Sequence, residues 1–233
     1  LRASAPDLIL VGGFGIILKP PILTLPRIGC VNSHSSLLPR HRGPNPFSAA
    51  ILSGDTETGV TFHVIDPGID TGDILAQERI PLTQQDTLLT VYKRTSQKAG
   101  EMIGPLLDRI EAEGLRGTPQ EAALATYEKR PNADDAWLDW RAAAEVLDRK
   151  VRALSPSPLP RFTHRGHAVF VLRAKADSTP VDAAPGTVVA ARPHLRIATG
   201  AGTLTILAAF ALAPVPGLWP GFFVRLRPGD RLS

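Results

Sequence analysis

The sequence predicts an α/β protein continued by a small β-rich domain, and three observations carry that prediction. Two short apolar runs, residues 7–11 and 28–32, lack the alternation of a half-buried strand and fit strands covered on both faces. One long helical stretch spans residues 86–113. Past Ser155, short apolar runs alternate with Gly/Pro turns, the pattern of a small barrel.

The elements follow in order. Pro20-Pro21 suits a first helical turn, so a short helix is expected to about Leu25. Asn45 is a candidate N-cap, with Pro46 at the first helical position, Leu52 near the end and Gly54 after it. Residues 58–65 alternate, with Val60, Phe62 and Val64 on one face and His63 opposite; residues 74–80 make a partner strand. The loop of residues 66–73 between them carries Asp70. The long helix has Leu88, Val91, Tyr92, Ala99, Ile103, Leu106 and Ile110 near helical spacing, a core stripe, with Asp86 as its cap and Gly114 as its end. Residues 115–131 lack periodicity and read as a connector over the first domain. Residues 142–154 are amphipathic and stop at Ser155-Pro156-Ser157-Pro158. Strands are expected at 168–173, 187–190, 195–199, 203–207 and 223–226, and His164, Arg165 and His167 fall in a surface hairpin turn.

At 233 residues the chain can bury a sizeable core and hold two modest domains. Charge is unevenly divided. Residues 1–140 hold 13 Lys+Arg against 17 Asp+Glu, a net of −4, whereas residues 141–233 hold 13 against 5, a net of +8. A basic second half draws the chain toward phosphate-rich partners. Cys30 is the single cysteine, which excludes a disulfide framework, and it is expected as a small buried residue. No Cys/His pair has zinc spacing, so no metal is expected. No apolar run approaches the roughly 20 residues that cross a bilayer, which predicts a cytoplasmic protein without membrane partners.

The chemistry concentrates in two stretches, Asn32-Ser33-His34-Ser35-Ser36-Leu37-Leu38-Pro39-Arg40-His41-Arg42-Gly43 and Gly68-Ile69-Asp70-Thr71-Gly72-Asp73. Asn32 and His34 are two apart, so on a strand they share a face. An amide N–H and an imidazole N–H there could stabilise the oxyanion of an acyl transfer. Imidazole exchanges protons near neutral pH, and a carboxylate such as Asp70 could hold it charged and relay an amine proton. Each residue also has a plainer reading: a turn-forming asparagine, a surface histidine, a turn aspartate between glycines. Residue types and spacing alone leave a hydrolase or a transferase on an α/β fold. Arg40, His41 and Arg42 could bind an anion or form a solvated basic loop, and His63 is a satisfied histidine or a contact to the acceptor. Trp137 and Trp140, three apart, are expected to pack.

Taken together, these residues resemble the formyltransferases that use 10-formyltetrahydrofolate. The family pattern is Asn-x-His, then Ser-Leu-Leu-Pro with a basic loop and glycine, then an Asp-x-Gly loop. It matches Asn32, His34, Ser36 to Pro39, Arg42-Gly43 and Asp70-Thr71-Gly72. The resemblance implies a catalytic trio of Asn32, His34 and Asp70, with a loop around Asp70 covering the pterin. It implies donor contacts at Phe14, Gly15 and Ile17 in the turn of residues 11–18, at Ser36, Leu37, Leu38 and Pro39, and at Asp66, Gly68 and Thr71. Residues 184–188, 197–200 and 228–232 look like the C-terminal barrel of the family's tRNA and amino-sugar enzymes.

The implied architecture is a partial Rossmann-like formyltransferase domain at residues 1–114, a connector at 115–140 and a small OB-like barrel at 141–233. Family members would begin with further strand-helix units before residue 7, about 60 residues at some 30 per βαβ unit. The sequence therefore reads as a fragment or an unusually short gene. The implied activity is formyl transfer to a primary amine, with methionyl-tRNA the leading acceptor because of the basic barrel. Residues 130–140 look closer to the amino-sugar enzymes, which makes an amino-sugar nucleotide the runner-up. A non-catalytic RNA- or partner-binding module is the alternative of another class.

Overall fold

The computed structural model describes residues 2–164, 166–211 and 226–232. It divides into two units, Leu1–Arg130 and Pro131–Ser233. In the first, four strands lie in the order β1 (Leu8–Gly12), β2 (Gly29–His34), β3 (Glu57–Val64) and β4 (Ile74–Pro81). β1 and β2 are parallel and joined through the short helix α1 (Pro20–Leu23), whereas β2/β3 and β3/β4 are antiparallel, so the sheet is mixed.

β1 is half-buried and not covered on both faces. β3 departs the other way: its alternation suggests one buried face, yet six of its eight residues are buried, Thr61 and His63 included. A strand between two neighbours has its environment set by both covering layers, and alternation reports only one of them.

α2 (Pro46–Ser53) starts after Asn45 with proline in its first turn and ends at Gly54, whose φ of 73° is the left-handed cap that glycine adopts freely. α3 (Leu88–Glu113) lays Leu106 and Ile110 on Val31, Val60, Phe62, Leu75 and Ile80. Tyr92 of the expected stripe is exposed and meets Phe47 edge-on at 5.3 Å. Its cap is Thr87, not Asp86: the Thr87 side chain accepts from the Thr90 N–H. Asp86, one residue earlier, accepts from the Thr83 N–H and the Thr90 hydroxyl and pairs with Arg94. Cys30 is buried. The stretch after α3 returns along the unit, with Thr118 bridging to Ile74 and Tyr127 to Arg42.

The second unit packs α4 (Ala144–Leu154) on an antiparallel five-stranded sheet. Its strands are β5 (Arg161–His164), β6 (His167–Asp177), β7 (Val188–Ala190), β8 (Leu195–Ala198) and β9 (Thr203–Phe210), in the order β5-β6-β9-β8-β7. Register shifts in the β6/β9 and β7/β8 pairs are the irregularities that bend such a sheet. Leu147, Val151, Phe162, Val169, Val171, Leu195, Ile197, Leu204 and Ile206 form its core. β5 pairs with β6 so that His164 faces His167, while Arg165 lies outside the described residues. The expected strand at 223–226 also lies outside them except for Leu226, which is buried. Among the described residues no helix is long and apolar enough to cross a membrane.

Candidate active site

β2 delivers Asn32 and His34 to one face, and β3 runs beside it with His63 opposite Asn32 and Thr61 opposite His34. Asp70 comes from the β3–β4 loop in the left-handed region, with φ 54°. These elements bring the expected trio together. Asp70 Oδ2 lies 3.5 Å from His34 Nδ1 and accepts from the Gly43 N–H at 2.8 Å. Asp70 Oδ1 lies 3.4 Å from Asn32 Nδ2.

His63 is a fourth member, 2% exposed. Its Nδ1 is 2.8 Å from the Val64 carbonyl and its Nε2 is 3.2 Å from Asn32 Nδ2. A carbonyl only accepts, so Nδ1 carries a proton, and Nε2 lies between the Asn32 amide and Asp70 Oδ1, 3.4 Å from the latter. The same accounting fixes His34. Its Nε2 donates to the His41 carbonyl at 2.9 Å, so a neutral ring is bare at Nδ1, on the side of Asp70. Only the imidazolium donates there.

Burial pushes the His34 imidazole below its ordinary value; the charge of Asp70 and the His41 carbonyl work against that push without cancelling it. Burial would also raise the Asp70 carboxyl. The His63 ring, the neighbouring His34 and the Gly43 amide outweigh it and hold Asp70 below the usual carboxylate range. A carboxylate that stays ionised beside a buried ring that is reluctant to charge is a proton-handling pair.

The loops around the cluster are braced. Gly43 has φ 107°, and a Cβ there would meet the Glu128 carbonyl at 2.5 Å and the Tyr127 ring at 3.2 Å, so the approach of this backbone to Asp70 needs glycine. Gln120 Nε2 donates to the carbonyls of Asp70 at 2.9 Å and Gly72 at 2.8 Å, while its Oε1 accepts from Arg42. Asp66 accepts from the Thr71 hydroxyl and the Gly68 N–H, closing the Asp70 loop on itself.

The other donor-contact positions divide by exposure. Phe14, Gly15 and Ile17 are exposed, Phe14 at 56% and Ile17 at 67%. Leu37 and Pro39 are half-buried. Ser36 and Leu38 turn inward: the Ser36 hydroxyl donates to the Arg40 carbonyl, and the Leu38 N–H donates to Thr61. The basic loop is not solvated as a whole. Arg40 pairs with Asp55, and His41 is buried between Asp55 and Glu128. In the second unit Trp140 packs edge-on with Phe162, whereas Trp137 is 40% exposed with Arg161 over its ring at 5.0 Å.

Gln120 is a site residue that sequence reading does not single out, whereas His63 and His41 appear there with open readings, the first as a satisfied histidine or an acceptor contact and the second in an anion-binding or solvated basic loop. The available signal was the period-two register between β2 and β3, which sets His63 beside Asn32 once the two strands are known to pair.

A family model described as formyl transferase matches residues 1–105, and one described as formyl transferase, C-terminal domain, matches residues 131–210. A methionyl-tRNA formyltransferase of Burkholderia vietnamiensis is 42% identical over 208 residues, which are 88% of this chain and 64% of that protein. A methionyl-tRNA formyltransferase of Methylococcus capsulatus is 40% identical over 89% of this chain and 67% of its own length. The chain thus spans about two thirds of the length of these relatives. Among solved structures, HypX from Aquifex aeolicus in complex with tetrahydrofolic acid superposes with a TM-score of 0.73 at 20% identity, covering all of this chain and 43% of that one. With both of its domains matched in order, the chain belongs to the formyl transferase family.

Proposed function

We propose that the chain transfers a formyl group from 10-formyltetrahydrofolate to the amino group of methionyl-tRNA. The observation that carries the reading is the convergence of Asn32, His34 and Asp70 on one buried cluster closed by Gly43. The acceptor amine bonds the formyl carbon, and the carbonyl π pair moves to oxygen. The Asn32 amide N–H and the Nδ1–H of protonated His34 stabilise that oxygen. Asp70 makes the charged form of His34 accessible and takes the amine proton. When the formyl carbon separates from the folate nitrogen, the proton passes to that nitrogen, so charge and protons balance. No metal enters these steps.

Phe14, Gly15, Ile17, Ser36 to Pro39, Asp66, Gly68 and Thr71 are proposed to bound the donor, the exposed residues by direct contact and Ser36 and Leu38 by shaping the loop. The folate assignment is supported by the tetrahydrofolic acid named in the HypX complex. The tRNA assignment is supported by the names of the relatives and by the net charge of +8 over residues 141–233. In this reading residues 1–114 catalyse, 115–140 connect, and 141–233 form an OB-like barrel that meets tRNA, all in the cytoplasm. The test follows tetrahydrofolate release with methionyl-tRNA, with an amino-sugar nucleotide, or with no acceptor. Release requiring charged tRNA is expected. Release with the sugar nucleotide alone, or without any acceptor, overturns the acceptor assignment.

A further inference from the structure

His41 sits in a setting that a basic surface loop does not explain. Its backbone is left-handed, φ 57°, a region that non-glycine residues rarely enter. Its ring is buried, with Nε2 2.7 Å from Asp55 Oδ2 and Nδ1 3.4 Å from Glu128 Oε1. The ring thus lies between two carboxylates. Its N–H donates to Thr126 Oγ1 at 2.8 Å. The next residue is tied to the same segment, Arg42 N–H to the Thr126 carbonyl at 2.9 Å and Glu128 N–H to the Arg42 carbonyl at 2.8 Å. What emerges from this clamp is one carbonyl, and it accepts the Nε2–H of His34 at 2.9 Å.

We propose that His41 is a positioning residue: Asp55 and Glu128 hold its ring, the held ring keeps its backbone left-handed, and its carbonyl thereby fixes the proton of His34 on Nε2. Nδ1 is then the nitrogen left to face Asp70 and the reacting groups. The proposal rests on the reading of His34 as the group beside the formyl oxygen, but its own content, the tautomer of His34, is measurable without any turnover. Without the ring, only the backbone bonds around Thr126 and Glu128 hold residue 41 in a conformation that a non-glycine residue disfavours, and a relaxed backbone takes the carbonyl away.

The experiment uses the full chain with 15N-labelled histidine, comparing the ring nitrogens of His34 in the wild type, in His41→Ala and in Asp55→Ala. Alanine keeps the Cβ that disfavours the left-handed conformation and lacks the ring that holds it there. The wild type is expected to show a single Nε2–H tautomer. His41→Ala is expected to show a mixture, with kcat lowered about 10- to 100-fold and the donor KM within about threefold. Asp55→Ala is expected to shift the tautomer in the same direction. Circular dichroism checks folding, and if His41→Ala does not fold, Asp55→Ala decides. An unchanged tautomer in a folded variant overturns the proposal even where the wild type transfers formyl. A shifted tautomer in a chain that transfers nothing leaves the proposal standing and removes the reading of the reaction instead.

Discussion

The two units fill the interior around their strands with different chemistry. Around β2 and β3 the interior holds His34, Ser36, His41, Thr61 and His63 beside the apolar Val31, Val60 and Phe62. Around β6, β8 and β9 it holds Phe162, Val169, Val171, Leu195, Ile197, Leu204 and Ile206, all fully buried, and the buried polar residues Thr199 and Thr203 lie at the strand ends. Apolar burial is non-directional, so the second core tolerates small shifts of its members. The first interior is directional: each imidazole nitrogen has a specified partner, and an unpaired one costs the full desolvation of that group. Order near β2 is therefore a matter of protons and angles, and near β9 a matter of volume.

The largest expected effect comes from removing the imidazole at the centre of the directional side. His34→Ala should lower kcat/KM for formyl transfer by about 10²- to 10⁴-fold, the range of a lost acid-base group and oxyanion donor. Tetrahydrofolate release measures it, and full activity in the variant would sink the assignment. On the apolar side, Phe162→Ala should cost about 3–5 kcal/mol of stability, read from urea unfolding, because a fully buried ring leaves a cavity. A loss below about 1 kcal/mol would mean that this core collapses freely and that the contrast is overdrawn.

Acid should find the directional side first. The His34 imidazole is held below its ordinary value of 6.5 and the Asp70 carboxyl below its ordinary 3.8. In each case the unfolded chain binds protons before the folded one does, so the stability these groups contribute is present above those values. It is lost as pH falls through the lower folded values. The unfolding free energy of the wild type should therefore decline below about pH 6.5 and again in the carboxylate range, with the second decline reduced in Asp70→Asn. A rise in stability on acidification would contradict the sign. The smallest effect concerns a cap outside both interiors: Thr87→Ala should cost about 0.5–2 kcal/mol by loss of its bond from Thr90, while leaving donor KM unchanged.

What the sequence discloses follows the range of the physics involved. Asn32 and His34 are legible because a strand repeats every two residues, and the cap of α2 because proline and glycine act locally. His63 is harder, since the alternation of β3 describes one covering layer and its burial depends on two. The clamp on His41 is harder still: its partners Asp55 and Glu128 stand 14 and 87 residues away, and no spacing rule reports such a pairing. β5 is missed because Phe162 is its one large apolar residue. Asp86 and Thr87 are both able caps, and the neighbouring Arg94 and Thr83 recruit the first, which leaves the second to the helix.

Gln120 carries a consequence for how the two loops are held. One side-chain amide grips the carbonyls of Asp70 and Gly72 while its oxygen receives the guanidinium of Arg42. The acidic loop after β3 and the basic loop after β2 are thereby linked through a residue belonging to neither. Displacing the Asp70 loop means breaking two hydrogen bonds from one side chain whose oxygen also receives Arg42, so the two loops are braced against each other through Gln120.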